Sequence, residues 1–277
     1  MKFGRAKQLT AKKFKRMTGV SRKTFELMVE LVLADEQKKK KSGRRPKLII
    51  EDKVLMVIQY WREYRTYYHI GLDWGLSESA VCRIVYKIEN ILIKSRKFRL
   101  PGKKELWKMS SQEDLVVMDV TESPIEKPSR NQKKFFSGKL LVHTLKTQVI
   151  IHQKSSQIIC LAHGLGKIHD FKLFKTSGVR FGELLKVIAD KGYQGITKIH
   201  QLSETPIKKP KGKKLTTDQK KYNRELNRLR ITVEHVNRRL KIFKILDYRY
   251  RNRHRRFGLR SNLIAGIYNH ELALSIV

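Results

Sequence analysis

Acidic side chains are scarce in this chain: 25 Asp and Glu stand against 62 Lys and Arg, for a formal net charge of +37. Cysteine is scarcer, with only Cys82 and Cys160. Two isolated thiols make neither a disulfide framework nor a zinc site, so a reducing, cytosolic setting is the expectation. No His/Cys cluster has zinc-ligand spacing. No Gly-x-x-x-x-Gly-Lys-Ser/Thr loop occurs, which argues against ATP-driven chemistry. No stretch approaches the roughly 18 consecutive apolar residues of a membrane-spanning helix, and the opening MKFGRAKQLT lacks the apolar run of a secretory signal.

What is present is a globular chain of 277 residues with an ordinary hydrophobic fraction of 40%. A surface this basic repels itself unless a polyanion neutralises it, and nucleic acid is the obvious partner. An anionic membrane surface is the weaker alternative. The charge is not confined to a tail: residues 1–112 carry a net +17 and residues 113–277 a net +20. Both halves are therefore candidates for phosphate contact.

The pattern divides the chain into an N-terminal helical and basic linker segment (1–48), a helix-turn-helix region (49–100) and an α/β part (101–277). Two short helices are expected over 9–33. A Lys run at 38–41 leads into Arg44 and Arg45, which read either as a basic linker along a phosphate backbone or as a solvated loop. Residues 51–64, 67–74 and a third segment opening at Ser77 read as helices, with a Gly75-Leu76 turn between the second and third. Short helix, glycine turn and Ser-capped helix make the helix-turn-helix pattern. Its second helix would offer Ser77, Ser79, Arg83 and Lys87 to bases or phosphates, although many helical hairpins that bind nothing read the same way.

After Pro101-Gly102 the character changes. Strands are expected at 115–118, 139–151, 157–163, 185–189 and 205–209, with helices at 169–177, 217–244 and 258–274. Strands first, then alternating helices and strands, imply an α/β mixed sheet. Leu226, Leu229, Val233, Val236, Leu240 and Phe243 form one apolar stripe on the long helix.

Because acids are rare, those in apolar settings stand out. Asp119 follows LVVM, Asp190 follows LKVIA, and Glu234 lies inside the long helix. Two carboxylates at strand ends and one on a packed helix can gather oxygen ligands around Mg²⁺ or Mn²⁺, with two ions supporting an in-line phosphoryl displacement. Each acid alone has a plainer reading, as a turn or cap or as half of a helical ion pair. Arg230, Glu234, Arg238 and Lys241 recur on one helical face, which suits either a phosphate grip or a solvated basic face. Asp170 reads as a helix cap or as a fourth acid near the metals, and Glu122 as a neighbour of Asp119 or an exposed acid. His143 and His163 read as structural histidines. Arg251 and Arg253, in the tyrosine-interleaved run 248–256, suit phosphate binding or an exposed connector.

The segments VVMDVTE, ADKGYQG and RITVEHVNRRLK resemble the three catalytic blocks of bacterial insertion-sequence transposases, in particular the insertion-sequence-five-like family. The tail RRFGLRSNLIAGIYNHEL is also similar to that family, and the resemblance spans roughly residues 50–275. It implies an RNase H-like mixed sheet flanked by helices, preceded by an all-α helix-turn-helix region. It implies a DDE triad of Asp119, Asp190 and Glu234 holding Mg²⁺ or Mn²⁺, two ions in all. The family's wider pattern around the glutamate is met by Arg230 and Lys241, while Asn227 stands where it has tyrosine.

The expectation is a metal-dependent transposase that binds terminal inverted repeats, cleaves the DNA ends and joins the 3′-hydroxyls to target DNA. A homodimer or larger synaptic assembly, in the bacterial cytoplasm and at the nucleoid, goes with that reading. Two rivals stand beside it: a non-catalytic sequence-specific DNA-binding protein (a repressor or domesticated transposase), and a structural RNA-binding protein.

Overall fold

A computed structural model describes residues 2–38, 46–109, 111, 113–212, 214–252 and 254–275. The chain forms two compact units. One comprises 1–99, 240–248 and 256–277; the other comprises 100–239 and 249–255. This partition is not the three-part division expected from the sequence. Residues before 49 pack into the same body as the helix-turn-helix, and so does the C-terminal helix.

The first unit is helical. It holds α1 (Phe3–Ala6), α2 (Ala11–Thr18), α3 (Arg22–Gln37), α4 (Ile50–Glu63), α5 (Tyr67–Trp74) and α6 (Glu78–Lys94). The second unit holds α7 (Lys103–Lys108), β1 (Leu115–Pro124), α8 (Gln132–Phe135), β2 (Phe136–Ser137), β3 (Val142–His152), β4 (Ile158–Leu165), α9 (Asp170–Ser177), β5 (Lys186–Ala189), β6 (Ser203–Glu204) and most of α10 (Thr217–Leu240). The chain then returns to the first unit with α11 (Phe257–Leu274).

Local sequence sets the helix starts. Thr10, Ser21, Thr66 and Ser77 each accept a backbone N–H three residues on, so α2, α3, α5 and α6 open on side-chain caps. Gly75 adopts the left-handed conformation that closes α5 and turns the chain into α6. Gly71 makes the close packing of that turn possible, because a Cβ there would lie 2.6 Å from the Leu76 carbonyl oxygen. Fully buried Phe14, Phe25, Met28, Ile58, Trp61 and Ile70 fill this unit. Glu89 is completely buried too. It accepts from Arg256 Nε and Arg260 Nε, both at 2.7 Å, and from Trp61 Nε1 at 3.1 Å.

In the second unit β1 is central. It pairs antiparallel with β3 and parallel with β5. β4 lies antiparallel on the far edge of β3, β6 lies parallel to β5, and β2 pairs only with the first residues of β3. This is a mixed sheet flanked by helices, the RNase H-like arrangement. Val116, Met118, Ile150, Val187 and Ala189 bury one face against Leu106 of α7, Phe174 of α9, and Tyr193 and Ile196 of the loop after β5. The alternate residues of β1 point to the other face, where Asp119 is reached from α10.

Three expected boundaries move. β1 does not stop at Met118: its pairing with β3 continues to Pro124, so Asp119 is in mid-strand. The last strand is Ser203–Glu204 rather than 205–209, because it is residues 203 and 204 that pair with β5. The long helix ends at Leu240, and a short 3₁₀ turn, Lys244–Leu246, replaces its expected last turn.

Candidate active site

Asp119 and Asp190 come together through strand register. β1 and β5 run parallel with Met118 opposite Ala189, so the next residue of each strand is an aspartate. Asp119 stays in the sheet through its antiparallel partner Val149, whereas Asp190 leaves β5 and starts the turn Lys191–Tyr193. Period-two alternation sends both side chains to the α10 face. Ligand-binding groups of open α/β sheets gather at such carboxyl ends of parallel strands.

Arg230 of α10 spans the pair, 3.7 Å from Asp119 Oδ1 and 3.4 Å from Asp190 Oδ1. Two turns on, Asn237 Nδ2 donates to Asp119 Oδ2 at 3.1 Å. Burial pushes the Asp119 carboxyl up to about 6, with the Asp190 and Glu234 charges adding to the rise; Arg230 and the Val120 amide oppose it. The carboxyl is thus held in a poorly solvated, electronegative place where a cation is favourable.

Glu234 lies one turn after Arg230 on the same helix and is exposed. Its charge reaches Asp119, yet among the described residues no group of three His, Cys, Asp or Glu side chains is close enough to hold one ion. The two aspartates are therefore brought together, and Glu234 is not closed onto them. The donor set still fits a hard divalent cation. Carboxylate oxygens are the ligands such ions take, and a guanidinium already stands between the two carboxylates as a cationic stand-in. Asn237 Oδ1 is buried without a hydrogen-bond partner, a further oxygen beside Asp119.

The expected DNA contacts divide. Ser77, Ser79 and Arg83 are exposed at the start of α6, Ser77 also capping it. Lys87 is instead paired with Glu36, with Asp35 4.0 Å away. Arg230 is tied to the aspartates rather than free for phosphate. Arg238 is exposed on α10, and Lys241 falls just past the helix end, so the stripe it was meant to continue stops short. Arg251 is exposed. Arg44, Arg45 and Arg253 lie outside the described residues.

Asp170 is not the N-cap, which is His169, but the first residue of α9, and its Oδ1 accepts from Lys146 Nζ at 2.8 Å. Glu122 is not an exposed acid but lies 3.8 Å from the same ammonium. His163 is a structural residue facing Thr147 Oγ1 at 3.2 Å, and burial pushes it down to about 4. Pattern reading missed Asn237 and Lys146. The available signals were a polar residue beside the apolar stripe of α10 and a lysine inside a buried strand.

A mixed sheet with an acidic pair at neighbouring strand positions, on a chain that also carries a helix-turn-helix body, fits an enzyme that acts on nucleic acid. Comparison with known proteins makes that particular. A profile described as DDE superfamily endonuclease matches residues 118–269, and one described as helix-turn-helix of DDE superfamily endonuclease matches 46–98. The chain is 83% identical over 274 residues, 99% of either length, to a protein of Microchaete diplosiphon named as a probable transposase for insertion sequence element IS702. It is 26% identical, over 83% of either length, to one of Streptomyces albus G named as a transposase for insertion sequence element IS112. A crystal structure of the mariner Mos1 paired end complex with Mg aligns over 76% of this chain and 83% of that one, with a TM-score of 0.19 and 11% identity, too distant to bear on the site. The chain belongs to the DDE superfamily of endonucleases and is an insertion-sequence transposase.

Proposed function

We propose that Asp119, Asp190 and Glu234 are the catalytic carboxylates with which this transposase cleaves the ends of its element and joins their 3′-hydroxyls to target DNA. The observation that carries the reading is the register of β1 and β5, which sets Asp119 beside Asp190 with Arg230 spanning both. Assignment to the insertion-sequence-five-like group, and work as a homodimer or larger assembly at the bacterial nucleoid, belong to the same proposal.

Asp119 and Asp190 would hold the divalent cations, Mg²⁺ or Mn²⁺, with Glu234 swinging in from α10. Those ions would supply Lewis-acid activation of the attacking oxygen and of the leaving oxygen. The rest falls to the chain. Asn237 fixes the rotamer of Asp119 through its amide. Arg230 neutralises the acidic pair while no cation or phosphate is present, and then becomes available to the scissile phosphate. Arg238 lies on the exposed side of α10 for the DNA backbone. Ser77, Ser79 and Arg83 would read the terminal inverted repeat from the start of α6, with Arg44, Arg45, Lys241, Arg251 and Arg253 contributing phosphate contacts. Lys87, paired with Glu36, is the least suited of the set.

One observation favours a second reading. Arg230 fills the gap between the aspartates, as it would in a protein that binds element ends without cutting them. Strand cleavage separates the two. With a duplex bearing the terminal repeat and Mg²⁺ or Mn²⁺, the parent chain nicks at the element end, and Asp119→Asn lowers the rate by roughly 10²- to 10³-fold, the scale of losing one key electrostatic group. Equal cutting by parent and variant would remove the triad assignment; no cutting by either would favour the binding protein.

A further inference from the structure

The other face of β1 carries a cavity that the proposed chemistry leaves unused. It measures about 700 Å³ and lies within the second unit, beyond the end of its apolar core. Val120 and Glu122 of β1, Phe136 of β2, Lys146 of β3, and Gly166, Ile168 and Asp170 line it. Lys133, Lys139 and Lys167 line it too, and all three are exposed.

Its floor is a built ionic group. The Lys146 side chain is 11% exposed and sits between Asp170 (26%) at 2.8 Å and Glu122 (10%) at 3.8 Å. Thr144 Oγ1 donates to Glu122 Oε2 at 2.7 Å, which sets that carboxylate's orientation. Gly166 lets the loop approach this floor, because a Cβ there would overlap the Phe135 carbonyl and the Thr144 hydroxyl. A largely buried ammonium and carboxylate, with a partly exposed second carboxylate, are costly to assemble for stability alone. They do present alternating acceptors and a donor to whatever enters.

The lining selects the ligand. Lys133, Lys139 and Lys167 attract an anion. Phe136 keeps 42% of its surface exposed in a family of DNA-handling enzymes, and its ring meets His143 only edge-on, at 5.9 Å between centroids. A free aromatic face stacks a base. Inside, two carboxylates accept hydrogen bonds from an exocyclic amino group, and the ammonium between them donates to a carbonyl or ring nitrogen. The volume is in the range of small-ligand sites.

We infer that this cavity receives one unstacked nucleotide of bound DNA, with its phosphate on the rim lysines, its base on Phe136, and a preference for guanine or cytosine over thymine. The preference follows from the floor: thymine lacks an exocyclic amine and would leave Glu122 and Asp170 opposite a carbonyl. The inference rests on the DNA-processing reading. It also links the cavity to the aspartates, because Asp170 Oδ2 is packed 2.8 Å from where a Cβ of Gly192 would be, in the turn that begins at Asp190. Filling the cavity would bear on the turn that carries a catalytic carboxylate.

The test is equilibrium binding of dGMP, dCMP and dTMP to the full chain without metal, followed by saturation-transfer NMR. The expected result is that dGMP and dCMP bind at least about tenfold more tightly than dTMP, the size of one to two good base contacts. Phe136→Ala should weaken both several-fold, and its exposed position makes misfolding no obstacle. Lys146→Met should abolish the base preference, with circular dichroism confirming its fold. Equal binding of all three nucleotides, parent-like binding by Phe136→Ala, or no binding at all would each overturn the inference. Cleavage measured on the same preparations keeps the two readings apart. Cutting without nucleotide binding sinks the cavity alone, and nucleotide binding without cutting sinks the catalytic proposal alone.

Discussion

Asp119 sits under opposed influences: burial and two neighbouring acids raise it, and Arg230 draws it down. Removing the arginine should therefore expose the strain. Arg230→Met is expected to lose roughly 1–3 kcal/mol of stability at neutral pH, the cost of a partly buried charge left unpaired. Mn²⁺ should restore much of the loss by taking the guanidinium's place. Thermal melts with and without Mn²⁺ check this, and a variant whose melt ignores the ion would argue against a cation site at the aspartates.

His163 gives a residue-level prediction for pH. Burial lowers it from 6.5 to about 4. A histidine whose folded value is depressed favours the fold while neutral, so its contribution is complete above about pH 6.5 and is lost as pH falls toward 4. His163→Gln should flatten the acid limb of the stability curve measured by urea unfolding between those values. At this scale the sequence was partly readable. Asp119 and Asp190 stood out because acids are rare and both follow apolar runs. The pairing of Arg230 with both aspartates was not legible, because a helical pattern shows which residues share a face but not what the opposite element brings to it. Lys146, Glu122 and Asp170 stayed hidden as a group for the same reason: strand pairing, not spacing, assembles them.

Among elements, the cap and turn of the helix-turn-helix have separable jobs. Ser77→Ala should cost about 1 kcal/mol through the lost cap and lower the melting point modestly. Arg83→Ala should leave stability alone, weaken binding to the terminal repeat, and reduce the salt slope of that binding by about one. A slope unchanged within error would exclude Arg83 from phosphate contact. The helices were legible because capping residues and 3.6-residue periodicity are local properties. β6 was not, since Ser203–Glu204 has no apolar signature of its own and exists only through pairing with β5.

At the level of the whole molecule, the helical unit is assembled from both ends of the sequence. Gly266 of α11 packs so closely that a Cβ would overlap the Phe98 carbonyl, and Glu89 of α6 is held by Arg256 and Arg260. Glu89→Ala should lose about 3–5 kcal/mol, because it strands two arginines. A fragment of residues 1–99 should fail to give a cooperative melt, whereas 1–99 mixed with a peptide of residues 240–277 should regain helical content. A cooperative melt from 1–99 alone would refute the dependence. The α11 pattern was readable as a helix but not as part of this unit, because no local signal records which body a returning segment joins.

That return has a consequence for the order of synthesis. The ribosome makes the helix-turn-helix before the sheet, but its buried Glu89 waits for arginines 167 and 171 residues further along the chain. Recognition of DNA by this unit would then mature only after the cutting unit has been made. A message broken in between would yield a chain whose helix-turn-helix unit lacks both of those arginines.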